Sequence, residues 1–118
     1  MALERGKLTD VITLGVGTTI AGVTVASNKK IYVKSIMAFA PYVGLSSGTA
    51  QVYMVPNSGG SAGTASTANQ IFSVDVYAGG TVLLEPSYPI VLTATGDTLQ
   101  VGTGLTTINF LLTGDKEA

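Results

Sequence analysis

Large apolar residues recur at every second position of this 118-residue chain, in short runs that glycine or proline interrupts. The clearest run is IFSVDVY (71–77), where apolar residues alternate with serine and aspartate, and LTTINFLLT (105–113) ends in the same alternation. Side chains of a strand point alternately to its two faces, so a period of two predicts half-buried strands. No segment keeps helical spacing for longer than about two turns, and glycine and threonine weaken any such helix.

The glycine and proline residues that interrupt the apolar runs indicate where the predicted strands begin and end. We predict strands over residues 8–14, 18–25, 31–40, 49–55, 71–77, 81–84, 90–94, 98–101 and 105–113. About eight short strands, spaced roughly ten residues apart, predict an all-β fold: a single antiparallel β-sandwich of jelly-roll type. The small-residue stretch NSGGSAGTASTAN (57–69) is predicted to be a flexible surface loop.

Charge is scarce and concentrated at the two ends of the sequence. Charged residues make up 11% of the chain, against about a quarter in an average domain. We expect a charged N-terminal arm at 1–10, a β-sandwich domain at 11–114 and a charged C-terminal tail at 115–118, with both ends solvated. The alternative is an N-terminal arm that docks on a neighbouring chain.

The body between these ends has too few charges to cover a free monomer, and strands 31–40 and 51–55 carry apolar residues on both faces. We therefore expect a homo-oligomer. The candidate interface residues are Glu4, Arg5, Lys7, Tyr42, Val43 and Leu45. The last three lie in a predicted loop, where capping of the sandwich core is the alternative role.

The residue inventory excludes several kinds of site. Cysteine and histidine are both absent, which removes disulfides, thiolate metal sites and the commonest general base. We predict no catalytic, cofactor-binding or metal residue. The interior carboxylates Asp75, Glu85 and Asp97 leave two alternatives, a catalytic pair or a calcium site. Asp97 follows a glycine and is predicted to bond nearby backbone N–H groups in a turn.

Partners other than protein are not expected. The net charge is −1 and no basic patch stands out, so neither nucleic acid nor an anionic membrane is predicted as a partner. The stretch 11–26 is apolar, but it is short for a membrane span and threonine and glycine interrupt it throughout.

Three stretches together resemble small β-sandwich virion proteins of tailed bacteriophages. They are IYVKSIMAFAPYVG (31–44), QVYMVPNSGGSAGTASTANQIF (51–72) and PIVLTATGDTLQVGT (89–103). The sequence departs from that pattern at SNKK (27–30), where such proteins often have a Pro-Ala-Gly turn, and the segment before Ile31 is not matched. The resemblance implies a non-enzymatic structural protein of the virion, most specifically a head decoration protein, with a neck, tail or fibre component as the alternative.

The resemblance also implies partners and a location. The expected partners are further copies of the chain, with a trimer favoured because it matches the threefold positions of a capsid, and the major capsid protein or other virion proteins. The expected location is the virion, assembled in the host cytoplasm. Two other functions stay open from the residues alone. One is a carbohydrate-binding or adhesin-like module, and the other is a hydrolase that uses a carboxylate pair.

Overall fold

The computed structural model describes residues 3–15, 17–41, 47–104 and 107–117. These residues form ten strands and one short 3₁₀ helix. The strands are β1 (Leu3–Lys7), β2 (Ile12–Leu14), β3 (Thr19–Thr24), β4 (Ile31–Phe39), β5 (Gly48–Val55), β6 (Gln70–Val76), β7 (Thr81–Leu84), β8 (Ile90–Leu92), β9 (Thr98–Gly104) and β10 (Ile108–Glu117). The helix, Thr67–Asn69, precedes β6.

The strands form two antiparallel sheets. In the six-stranded sheet, β1 and β2 both pair with β10, β10 pairs with β4, and β4 pairs with both β7 and β8. The four-stranded sheet has the order β3-β9-β5-β6. If β1 with β2 and β7 with β8 are each counted as one interrupted strand, the described chain has eight strands. Their order, first-eighth-third-sixth in one sheet and second-seventh-fourth-fifth in the other, is that of a jelly roll.

The apolar faces of the two sheets pack against each other, as the alternation predicts. From the six-stranded sheet, Ile36, Phe110 and Leu112 are almost completely buried, and the four-stranded sheet contributes Val52 and Leu99. Burial of each such side chain stabilises the fold by about 1.5–3 kcal/mol. The predicted antiparallel β-sandwich is therefore confirmed, and the predicted strands correspond to β2–β10 with bounds shifted by a few residues.

Both charged ends take part in the six-stranded sheet. Residues 3–7 form β1, which pairs antiparallel with the last part of β10, so that Glu4 lies opposite Lys116 and Arg5 opposite Asp115. The sequence positions of these partners differ by more than 100, so local patterning could not pair them. Their opposite charges face each other across the strands, which stabilises the pairing.

The loop at 57–69 is held to the sandwich by hydrogen bonds. The backbone N–H and side-chain amide of Asn57 donate to Asp97 Oδ1 at 2.9 and 3.0 Å, and Gln100 Nε2 donates to the carbonyl oxygen of Gly63 at 3.0 Å. The expected flexible loop is thus anchored at two points. Asp97 also accepts the backbone N–H of Ala94 at 3.1 Å, which confirms its predicted role as a turn residue.

Gly114 permits the close approach of β10 to β4 at a register shift between the two strands. A Cβ atom there would overlap the carbonyl oxygen of Tyr32. Gly114→Ala should therefore lower the free energy of unfolding by about 3 kcal/mol in urea denaturation. The matched control is Gly104→Ala on β9, where a Cβ would meet no atom of the described residues within 4 Å. It should change stability by no more than about 0.5 kcal/mol. Equal losses would contradict this packing.

Candidate assembly surface

A row of large apolar side chains crosses the outer face of the six-stranded sheet. Met37 on β4 lies opposite Leu111 on β10 and Leu83 on β7. Val11 extends the row beyond β10, because the next residue, Ile12, pairs with the neighbour of Leu111. Val11 is 60% exposed, Met37 41% and Leu83 49%. We call Val11, Met37, Leu83 and Leu111 the apolar row.

An open groove of about 200 Å³ adjoins the apolar row. Phe39, which is 37% exposed, and Asn109 lie beside Met37 and Leu111 in its wall. Phe39 and Asn109 are direct cross-strand partners, so the aromatic ring and the amide share one position in the register. The amide oxygen of Asn109 is buried and has no hydrogen-bond partner among the described residues. The apolar surface is therefore continuous from the row into the groove.

The outer face of the four-stranded sheet is mostly polar. Tyr53 donates its hydroxyl hydrogen to Gln51 Oε1 at 3.1 Å, and Ser73 lies opposite Gln51. Ile71, 47% exposed on the edge strand β6, is an exception. The anchored loop lies against the end of this sheet at Gln100. Only the six-stranded sheet therefore presents a continuous apolar face in the described part of the chain, and such a face is typical of a contact between proteins.

A buried carboxylate lies at the other end of β10. Asp115 is 4% exposed, and it forms ion pairs with Lys34 at 2.7 Å and Arg5 at 3.4 Å. The hydrogen bond from Lys34, and the attraction of both cations, hold the pKa of Asp115 below its usual value although burial acts in the opposite direction. The hydroxyls of Ser35 and Thr113 are hydrogen-bonded to each other on the same two strands. This cluster ties β1 and β4 to β10.

Three of the six predicted interface residues are described by the structure, and they lie away from the apolar row. Glu4, Arg5 and Lys7 lie on β1 and are exposed, beside the charged end of β10 and not beside the apolar row. Tyr42, Val43 and Leu45 lie outside the described residues. Sequence reasoning did not single out the members of the apolar row. The sequence did carry a signal for this row, because β4 has apolar residues on both faces. In the structure, Met37 projects from the outer face of β4.

The three interior carboxylates lie on separate elements. Asp75 is on β6, Glu85 follows β7 in the other sheet, and Asp97 is in the turn before β9. The hydrogen bond from Asn57 holds the pKa of Asp97 below its usual value. Within the described ranges, no group of three or more acidic residues is placed to hold a metal ion, and no helix is long and apolar enough to cross a membrane.

Comparisons with known proteins give only distant likenesses. No family model and no curated protein matches the sequence. A chain of the T13 particle of infectious bursal disease virus is similar over 95% of this chain and 30% of its own, with a TM-score of 0.42 and 11% identity. A chain of the Gx strain of that virus is similar over 98% and 30%, with a TM-score of 0.41 and 13% identity. This chain thus spans under a third of the viral chains, and likenesses at this distance indicate neither a family nor a function.

Acidification should weaken the fold through Asp115. A carboxylate whose pKa is lowered on folding contributes stability above its unfolded pKa of about 4, and this contribution is lost as the pH falls through the folded pKa. Unfolding in urea between pH 7 and pH 2 should show wild-type protein more stable than Asp115→Asn at neutral pH, with the difference shrinking in acid. Lys34→Met should also flatten the pH dependence. Parallel curves for all three proteins would contradict this role.

Proposed function

We propose that the protein is a non-enzymatic structural component of a bacteriophage virion. The specific role proposed is that of a capsid decoration protein, a homo-oligomer, with a trimer favoured, that binds the outside of the head and stabilises it. The major capsid protein is then its partner, and assembly takes place in the host cytoplasm. A neck, tail or fibre position in the virion is the alternative within the same class.

The apolar row carries this proposal. Leu111, Met37 and Leu83 lie side by side on the adjacent strands β10, β4 and β7, and Val11 directly precedes β2 on the other side of β10. The four residues therefore form one surface. Contiguous exposed apolar surface is unfavourable in water, and its burial against another protein is the usual reason for its retention. Only 11% of the residues are charged, so few charged side chains are available to offset the unfavourable exposure of this apolar surface. A specific contact between proteins generally buries about 1,000 Å² or more in total.

The side-chain chemistry supports a structural role over an enzymatic one. The chain lacks histidine and cysteine, and the carboxylate oxygens of Asp97 are occupied by the Asn57 and Ala94 hydrogen bonds that fix the loop. A carboxylate-based hydrolase needs two acids on one cleft about 5–10 Å apart. The placement of Asp75 and Glu85 in different sheets does not favour such a pair.

The virion setting is supported by topology and sequence together. Jelly rolls of eight strands are the architecture of many viral capsid domains, although lectins and cupins share it and a fold alone does not fix a function. The three sequence stretches that resemble tailed-phage virion proteins favour a viral structural protein over a lectin or a cupin. Threefold symmetry fits the threefold positions of a capsid, which favours a trimer on the head.

One specific observation favours a second candidate, a glycan-binding module. Tyr77 and Tyr88 are 76% and 85% exposed, and exposed tyrosines serve as stacking platforms with a polar end. Binding to a glycan array that Tyr77→Ala and Tyr88→Ala abolish would favour this function. Absence of glycan binding, with binding to heads retained, would favour the virion role.

Charge introduced into the apolar row should dissociate the oligomer. Wild-type protein should run as a trimer in light scattering at tens of micromolar and should sediment with empty heads assembled from the major capsid protein of the same genome. Met37→Lys and Leu83→Lys should each weaken self-association at least about tenfold, because a lysine in the centre of an apolar contact loses its hydration. Both positions are exposed in the single chain, so folding should be preserved.

The matched control is Ser73→Lys, which adds the same charge on the outer face of the four-stranded sheet. It should leave both the trimer and head binding unchanged. A monodisperse wild-type monomer that does not bind heads would overturn the proposal, and so would equal effects of Met37→Lys and Ser73→Lys.

A further inference from the structure

The strand β1 contributes nothing to the core. All five of its residues are exposed, and no other described strand has this pattern. By contrast, β2, which pairs with the same partner strand, buries Leu14 to 3% exposure, and Ile12 packs against the core. Detachment of β1 from the sheet would therefore expose almost no apolar surface that is now buried.

Backbone pairing and ion pairs hold β1 in place. Its five residues pair in register with the end of β10. Arg5 is 3.4 Å from Asp115, and Glu4 is 4.0 Å from Lys116. In both pairs the β1 side chain is largely exposed, and the Glu4–Lys116 pair, exposed on both sides, contributes little to stability and weakens further in salt. Asp115 is buried, but it keeps its ion pair with Lys34 when β1 leaves. Segments with few buried apolar contacts open at a small free-energy cost compared with global unfolding.

Gly6, the fourth residue of β1, lies close to the junction between β1 and the body of the fold. Gly6 has a φ of +139°, and a Cβ built on it would meet no atom within 4 Å in the described part of the chain. Two residues further on, Leu8 packs against the core, and its backbone N–H donates to the carbonyl oxygen of Leu112 at 2.8 Å. Opening therefore ends at Leu8, and it frees residues 3–7, a reach of about 17 Å when extended.

We propose that β1 is an exchangeable strand, which leaves β10 of its own chain and pairs in the same register with β10 of a second copy. Charge complementarity between β1 and β10 indicates that the partner of β1 is a second copy of the same chain. The edge of β10 places Lys116 and Asp115 opposite Glu4 and Arg5, and every copy of the chain carries both halves of this match. Exchange replaces each intrachain contact by the identical interchain contact, so copies become linked without a new interface chemistry. The inference rests on the homo-oligomeric part of the proposed function and is independent of the virion role.

Cysteine trapping tests the exchange directly, since the chain has no cysteine of its own. Glu4→Cys and Lys116→Cys are made in separate chains, mixed and oxidised. Cross-strand partners lie within disulfide distance, so exchange should give a disulfide-linked heterodimer on non-reducing gels. Its formation should be about threefold faster in 0.5 M than in 0.05 M NaCl, because salt screens the Arg5–Asp115 ion pair, which both variants retain. The double variant Glu4→Cys/Lys116→Cys, oxidised at high dilution, should give the intrachain disulfide and so shows that the geometry is competent.

The matched control pair is Gln51→Cys and Ser73→Cys in separate chains. These residues are also cross-strand partners, but their strands carry core side chains, among them Val52 and Val76, and should not exchange. A heterodimer from positions 4 and 116 well above this control supports the inference. Equal, background cross-linking of both pairs in a protein that remains oligomeric would overturn the exchange and leave the proposed function standing. A monomeric wild-type protein would overturn both.

Discussion

The pairing of β10 with three other strands organises the six-stranded sheet. Along its length β10 pairs with β2, then β1, on one side and with β4 on the other. Its inward residues Ile108, Phe110 and Leu112 are completely or almost completely buried in the sandwich core. If β10 were lost, the sheet would separate into β1, β2 and the group around β4, and the four-stranded sheet would have no apolar face to cover it.

The alternation that buries one face of β10 also determines what its other face presents. Between the core residues, Asn109 and Leu111 point outward, towards Phe39 and Met37 of β4. Further along the strand, Asp115 binds both Lys34 and Arg5. The strand β10 thus carries an apolar surface suited to association and, further along, the charged residues that hold the exposed strand β1. Self-association through the first and strand exchange through the second would both act on the same strand.

Much of the fold followed from the sequence because its signals are local. Alternation in IFSVDVY predicted β6, and the glycine before Asp97 predicted a turn whose carboxylate bonds nearby N–H groups, as the contact with Ala94 confirms. The remaining features depend on partners far apart in sequence. The pairing of Arg5 with Asp115, the anchoring of the 57–69 loop by Gln100 and the assembly of the apolar row from four segments all require the strand order, which spacing alone does not specify.

If another copy of the chain covers the outer face of the six-stranded sheet, as we propose, the methionines should report this contact. The chain has three, and Met37 in the apolar row and Met54 at the end of β5 are similarly exposed in the single chain, at 41% and 36%. With methyl-labelled methionine and a soluble paramagnetic probe, nuclear magnetic resonance at assembling concentrations should show the Met37 methyl protected and the Met54 methyl accessible. Equal broadening of both methyls would contradict the account.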